Sequence, residues 1–345
     1  MVRRNIGILL CILALTLGGC RGEDSGAYDR GMQALASADY ETAMGEFQKA
    51  ANEDGRKAEA YRGEGIIYLR RQDYAHAVTL FSLSLQEMKF ENQEFREDVL
   101  FYQAEAYQGT GQRQEAFSIY EELEEGVNGG QACFMRGRMY LLEGDKDQAE
   151  ADFQRAVEKD GSYETYVRIY EAYSALNLEA DGAVYLEEAL KLSPSDAADY
   201  YQEGRVHYYL EEYDQAKASL NQAVDGGNQE AVMLLGHICL ETGDTSGARA
   251  LYRNYLEKNT RPAAAYNGLA LCDIAEGNYD SALSNVKKGL ECNDEEENEN
   301  LLYNEIVIYE YKLDFDTAKG KMQEFLERYP GNEDAVRENK FLQSR

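Results

Sequence analysis

Three sets of residues in this 345-residue sequence have side chains suited to chemistry. Cys20 closes the stretch LTLGGC at the edge of an apolar run, and a thiolate, the most nucleophilic common side chain, suits alkylation. His76, His207 and His237 are acid–base or metal-ligand types, but none stands in an HExxH pattern or near a second histidine in sequence. Arg62, Arg70, Arg138 and Arg205 stand at spacings that place them with Phe134, Tyr201, Tyr208, Tyr209 and His237 on one face of successive helices. Arginine forks a carboxylate and tyrosine supplies amphipathic contact area, so this set is a candidate peptide groove. Glu105, Glu171, Glu241 and Glu310 share the face and mix its charge. Intramolecular ion pairs on a solvated surface are the other reading of the same residues.

Enzyme signatures are absent from the sequence. It has no G-x-S-x-G and no Walker loop. GEG at 63–65 resembles the start of a glycine-rich loop, but no strand precedes it and Gly65 has a packing role. With 64 acidic residues, paired carboxylates carry no information, and the 27 tyrosines fall mostly on packing stripes. His207 sits in a stripe position that favours a core histidine. The expectation is a protein that is not an enzyme, with no catalytic residue, metal or cofactor. A net charge of −29 repels nucleic-acid phosphates and anionic lipid heads, which excludes a nucleic-acid partner.

The elements that position these residues begin with the amino terminus. Arg3 and Arg4 precede twelve apolar residues, Ile6 to Leu17, followed by Gly18 and Gly19. That order is a secretory signal peptide, and the run is shorter than the about 20 residues of a comfortable membrane span. An uncleaved short anchor is the alternative. Leu17-Gly18-Gly19-Cys20 resembles the bacterial lipobox. The resemblance implies cleavage after residue 19 and a diacylglycerol on the Cys20 sulfur. Losing Arg3 and Arg4 would take the net charge from −29 to −31. The expected location is the outer face of the cytoplasmic membrane, or the periplasmic membrane face in a diderm host. Arg21 to Asp24 leave only a short linker between the lipid and the first helix. Cys133, Cys239, Cys272 and Cys292 match no zinc or CxxC spacing and read as free thiols in or beside helices; disulfides in an exported chain are the alternative, with Cys239 and Cys272, in neighbouring repeats, the pair to check.

The rest of the chain is periodic. ADYETAMGEFQKA (38–50), QDYAHAVTLFSLS (72–84), EEYDQAKASLNQA (211–223) and GNYDSALSNVKKG (277–289) share a turn-like start, an aromatic, a small residue and then a hydrophobic one. The small residues are Ala43, Ala77, Ala116, Ala149, Gly182, Ala216, Ala248, Ala282 and Ala318, separated by 34, 39, 33, 33, 34, 32, 34 and 36 residues. A second small position lies twelve residues earlier, at Gly31, Gly65, Ala104, Gly137, Gly204, Gly236 and Ala270. This pattern resembles the tetratricopeptide repeat, in nine copies from residue 24 to about 332.

In the 34-residue frame, positions 4, 7, 8 and 11 form one helical stripe and positions 20, 24 and 27 a second. Small residues at 8 and 20 let the two helices approach closely. Gly144-Asp145, Gly243-Asp244 and Gly277-Asn278 at positions 15 and 16 make a short turn. Such a hairpin cannot bury its apolar face alone, so the units stack. Tyr170 and Ile306 replace the small residue in repeats five and nine and make their register less certain. QEMKFENQEFRE (86–97) reads as a longer helix or loop, ECNDEEENEN (291–300) as a solvated turn and helix cap, and NEDAVRENKFLQSR (332–345) as a capping helix.

The expected fold is therefore all-α: a right-handed superhelical solenoid of about nine such hairpins. Residues 1–19 form a signal peptide, 20–23 the lipidated cysteine and linker, 24–332 the solenoid and 333–345 the capping helix. The family resemblance implies that the arginine–tyrosine face lines a concave groove. The expected function is a non-catalytic, lipid-anchored scaffold that binds a peptide segment or protein of the cell envelope. A module that binds a glycan or small ligand and passes it to an envelope transporter or enzyme is the alternative. Relatives that clamp a terminal carboxylate do so with Lys and Asn at fixed positions in three consecutive repeats, a set this sequence does not contain.

Overall fold

The computed structural model describes residues 26–52, 55–88, 92–258 and 262–345; Cys20 and the amino-terminal apolar run lie outside them. The described residues hold nineteen α-helices and no strand. Eighteen pair in chain order into nine hairpins. The first four are α1 (Ala27–Ala36) with α2 (Tyr40–Asn52), α3 (Lys57–Arg70) with α4 (Tyr74–Glu87), α5 (Gln93–Gly109) with α6 (Arg113–Leu123), and α7 (Gly129–Glu143) with α8 (Lys146–Lys159). Next come α9 (Tyr163–Ser174) with α10 (Glu179–Ala189), α11 (Ala197–Tyr209) with α12 (Tyr213–Asp225), and α13 (Glu230–Glu241) with α14 (Thr245–Lys258). The last two are α15 (Pro262–Ala275) with α16 (Tyr279–Leu290), and α17 (Glu295–Tyr311) with α18 (Phe315–Arg328), followed by α19 (Glu333–Gln343).

Two compact units divide the chain, Met1–Tyr185 and Leu186–Arg345, with the boundary inside α10. In the first, each second helix from α2 to α8 packs against its own first helix and the next one. In the second unit, α12, α14, α16 and α18 do the same. Neighbouring first helices also touch, as at α1–α3, α3–α5 and α13–α15.

The period appears as packing. The alanines at position 20, from Ala43 to Ala318, are fully buried. Four residues on, Phe47, Phe81, Tyr120 and Phe153 fill the core of the first unit, and Leu220, Tyr252, Val286 and Met322 that of the second. Glycines make room for these side chains. A Cβ on Gly31 would lie 2.7 Å from the Phe47 ring, and one on Gly63 of the next repeat 2.5 Å from the same ring. Gly236 and Gly268 hold Tyr252 the same way, each 2.5 Å from its ring by that measure. Gly63 and Gly65 of the GEG sequence are thus packing residues, against Phe47 and Phe81.

Repeats five and nine keep their register despite Tyr170 and Ile306. In repeat five the sizes are exchanged between helices: Tyr170 is buried on α9, and Gly182 supplies the gap on α10, where a Cβ would come 2.9 Å from the Tyr173 Cβ. In repeat nine, Ile306 packs with Ala318 and the unbranched Met322, a side chain that adapts to irregular space.

The extra residues between repeats two and three lengthen α5 to 17 residues. Asn92 caps it, accepting a hydrogen bond from the Phe95 N–H at 3.0 Å. The added turn carries Glu97, fully buried, which accepts from the backbone N–H groups of Val127 (3.2 Å) and Asn128 (3.3 Å). Burial would raise that carboxyl, but these bonds, with those from the Gln93 and Asn128 side chains, hold it below the usual range. The acidic run also becomes helix, since α17 starts at Glu295, where negative side chains suit the amino-terminal end of the dipole.

All nine hairpin turns carry a left-handed residue at position 15: Ala38, Gln72, Gly111, Gly144, Asn177, Glu211, Gly243, Gly277 and Leu313. Five follow it with an aspartate that caps the second helix, as Asp145 accepts from the Gln148 N–H at 3.2 Å. A left-handed conformation costs a residue with a Cβ about 1–2 kcal/mol. Leu313 adopts φ 59° while 73% exposed, so its side chain returns little packing. Leu313→Gly should stabilise the protein by about 1 kcal/mol, read as a higher urea midpoint at unchanged m-value.

α19 closes the second unit by burying Ala335 and Leu342 against α17 and α18. Glu310 on α17 has a carboxylate oxygen buried without a hydrogen-bond partner among the described residues and feels the charge of Glu338 on α19. Burial, then the neighbouring Glu338, pushes Glu310 up to about 7. A folded-state pKa above the unfolded one contributes stability that is present at low pH and lost as pH rises through the folded value. Between pH 5.5 and 8 the thermal midpoint of the second unit should fall by a few degrees, and Glu310→Gln should flatten that slope in a calorimetric pH series.

Candidate peptide-binding faces

Positions 2, 5, 9, 12 and 13 of the first helices point away from the packing stripes. The residues predicted there fall into two groups, one on each compact unit.

On the first unit, Arg62 and Phe134 are taken up by the protein itself. Arg62 is 7% exposed. Its Nε donates to Asp98, one terminal nitrogen donates to the Tyr28 hydroxyl at 3.2 Å, and its guanidinium lies 5.5 Å from the Tyr102 ring. It ties α1, α3 and α5 together. Phe134 is buried, tilted against Phe153 at 5.9 Å and covered by the Arg168 guanidinium 4.2 Å from its ring. It forms one wall of a cavity of about 470 Å³ that Asn128, Lys159, Glu164 and Arg168 also line.

Arg70 and Arg138 are placed differently. Arg70 is exposed at the end of α3. Arg138 on α7 is half-buried, and its Nε is buried without a hydrogen-bond partner among the described residues. A buried donor left without an acceptor costs about 1–3 kcal/mol. Between these arginines in the repeat order stands Glu105 on α5. Burial pushes its carboxyl above the ordinary range against the pull of Arg138 and then Arg70. The fully buried Tyr120 hydroxyl, which accepts from Gln108 Nε2 at 2.9 Å, feels both the Arg138 and the Glu105 charge.

The second unit brings its predicted residues together. On α11, Arg205 lies 5.8 Å from the Tyr201 ring and 6.0 Å from the Tyr209 ring, and donates to Gln202 Oε1 at 2.8 Å. Tyr208 stands beside Tyr209 at 5.7 Å and meets His237 of α13 edge-on at 5.9 Å, with its hydroxyl 3.2 Å from His237 Nε2. Glu241 lies 3.4 Å from the same nitrogen. These half-buried rings and the guanidinium form a mixed aromatic and cationic surface suited to contact through ring faces and hydrogen bonds.

Elsewhere, His76 is exposed beside Asp73 at 2.7 Å, and His207 lies 2.7 Å from Glu212. Cys133, Cys239, Cys272 and Cys292 are free thiols. Burial raises all four, Cys133 and Cys272 to about 11, which disfavours the nucleophilic thiolate. Among the described residues no three His, Cys, Asp or Glu side chains converge as a metal site, and no helix is long and apolar enough to cross a membrane.

Family models described as tetratricopeptide repeat match residues 28–88, 98–125, 130–161, 201–260 and 240–288, together more than half of the chain. The chain belongs to the tetratricopeptide-repeat family. The unmatched stretches include repeats five and nine, where Tyr170 and Ile306 replace the small residue. A tetratricopeptide-repeat-containing protein of Methanocaldococcus jannaschii is 24% identical over 202 residues, 52% of this chain and 36% of that protein. A BBSome complex member BBS4 homolog of Drosophila melanogaster is 24% identical over 167 residues, 48% of this chain and 34% of that one. The matches thus span about a third of the length of these relatives. Among solved structures, yeast Tom70 shares 14% identity at a TM-score of 0.45, covering 92% of this chain and 94% of that one. PilW, a type IV pilus biogenesis factor, shares 17% at 0.46, covering 60% and 96%. Both scores lie below 0.5, and neither protein's role transfers.

Within the repeat frame, the sequence pattern leaves Arg136, two residues before Arg138, undistinguished. Tertiary packing buries it: Nε donates to Asp152 Oδ2 at 2.7 Å, and a terminal nitrogen donates to Asp152 Oδ1 at 2.8 Å and Glu124 Oε2 at 2.7 Å. Asp152 is 1% exposed. Its only signal in sequence is an arginine on the packing side of a helix. Removing one member of a buried ion pair costs about 3–5 kcal/mol. Arg136→Ala should lower stability by that order in urea unfolding, whereas Arg138→Gln should leave it within about 1 kcal/mol.

Proposed function

We propose that this tetratricopeptide-repeat protein is a non-catalytic scaffold that binds a peptide segment or protein through the outward face of its first helices. The family supports protein–protein interaction as the general role. The observation that carries the reading to a site is Arg138, a half-buried arginine on α7 whose Nε has no hydrogen-bond partner among the described residues; the part of its guanidinium that is exposed would pair with a ligand carboxylate. Arg205 with its tyrosines offers a second contact surface on the other unit.

The amino-terminal sequence adds a location. In this reading Cys20 carries the lipid, and the scaffold works at the outer face of the cytoplasmic membrane, or the periplasmic membrane face in a diderm host, on a partner of the cell envelope. Each lipid methylene buried in a bilayer is worth about 0.8 kcal/mol, and more than one chain is needed for stable anchoring.

The test is affinity capture from cross-linked, detergent-solubilised host cells, comparing the chain with its Arg138→Glu/Arg205→Glu and Cys20→Ala variants. The expected result is a protein enriched by the chain and lost with the double arginine variant at unchanged melting temperature, and a Cys20→Ala chain absent from the membrane fraction. Equal capture by the arginine variant overturns the face, and membrane retention of Cys20→Ala at the mature size overturns the anchor.

A further inference from the structure

We propose that the cavity of about 470 Å³ between repeats four and five is a socket for a peptide segment that carries both a carboxylate and a cation. This deepens the peptide-binding reading above and rests on it for the class of partner, but not on Arg138 or Arg205. The cavity lies within the first unit, where the connection into α7 meets the turn from α8 to α9. Its walls are held by the protein's own bonds. On one side, buried Glu97 accepts from the N–H groups of Val127 at 3.2 Å and Asn128 at 3.3 Å, and from Asn128 Nδ2 at 3.1 Å. On the other, Asp160 accepts from the Thr165 hydroxyl at 2.8 Å and the Ser162 N–H at 3.3 Å. The Lys159 stem runs beside the start of α7: a Cβ on Gly129 would lie 3.3 Å from its Cδ, and one on Gly130 3.4 Å from its Cβ. Arg168 is fixed over the Phe134 ring. A cavity shaped in advance needs little ordering on binding, and its volume falls within the roughly 300–1,000 Å³ of ligand sites.

Charge selects the ligand. The chain has 64 acidic residues against 35 basic ones, but this cavity is lined by two of each, Lys159 and Arg168 with Asp160 and Glu164. Asp160 is engaged by Thr165 and Ser162. Lys159 and Glu164 are exposed, and neither has a hydrogen bond or ion pair among the described residues, with each other or with anything else. A cation and an anion that line one cavity without pairing are complementary to a ligand that brings the opposite of each. A segment with one acidic and one basic side chain answers both. Being neutral overall, it is neither drawn nor repelled by the net charge of −29, so the local charges decide where it binds. A purely acidic segment is repelled by that field and leaves Glu164 unanswered. A purely basic one leaves Lys159 unanswered and is attracted to carboxylates all over the chain, which gives it no single place.

The experiment is fluorescence anisotropy of the full chain with a rhodamine-labelled, amidated hexapeptide of alternating Glu and Lys, and labelled hexaglutamine as the uncharged control, at about 0.15 M salt. The native chain should bind the alternating peptide and not hexaglutamine. Lys159→Gln and Glu164→Gln should each weaken that binding about tenfold, although they change the net charge in opposite directions. Glu115→Gln, on α6 and outside the cavity, and Arg138→Glu/Arg205→Glu should leave it unchanged; melting curves check that every variant is folded. Opposite effects of the two cavity variants, no effect of either, or equal binding of hexaglutamine overturns the socket. Loss of binding with the double arginine variant alone overturns the socket and leaves the binding face standing. Absence of binding by every chain overturns the socket, while capture from host cells still decides the scaffold reading by itself.

Discussion

The close approach of helices around one large side chain per repeat is the constraint on which this protein depends. Phe47 lies between Gly31 and Gly63, glycines of two successive first helices, and a Cβ on either would enter its ring. Tyr252 lies between Gly236 and Gly268 in the same way. One ring thus joins a hairpin to itself and to its neighbour. Interiors packed at crystal-like density leave no slack for an extra methyl group at such a point. Because each contact is local in sequence, it can be solved separately in each repeat. Repeat five does so by placing the large side chain, Tyr170, on the first helix and the small one, Gly182, on the second.

The same packing sorts the arginines. Arg136 and Arg62 are drawn into the protein and satisfied by Asp152, Glu124 and Asp98. Such buried pairs are weak sources of net stability, but breaking one is costly, so they hold helices in register. Arg138 stands two residues from Arg136 on the same helix, and its buried Nε meets no acceptor among the described residues. Two residues turn a helix by about 200°, enough to carry one guanidinium from the core side to the outward face. The acidity of the chain therefore serves its packing: carboxylates neutralise the cations that packing buries.

The outward face differs between the units. The first offers a cationic pair with a carboxylate between its members in repeat order. The second offers tyrosine rings, a histidine and an arginine held against one another. Charge dominates the first surface, and ring faces and hydroxyl groups the second.

The sequence by itself determined the repeat, its count of about nine hairpins and the register of all of them but five and nine. Those follow from spacing: a small residue that must recur every 34 residues or so, an apolar stripe at helical intervals, and Asp after a left-handed turn residue all act within about one repeat of chain. It also determined which residues share the outward face, since helical geometry fixes that from position alone. Only the tertiary structure decided which members of that face are available. Arg62 and Arg138 are equivalent as letters, but Asp98 and Tyr28 from neighbouring helices reach the first, and among the described residues no acceptor reaches the Nε of the second. By position Phe134 belongs to the outward face, but Arg168 of the next repeat covers it, and Glu310 of α17 feels the charge of Glu338 only because α19 packs on the last hairpin. These outcomes depend on side chains that extend several ångströms between helices, and that reach leaves no periodic mark in the sequence.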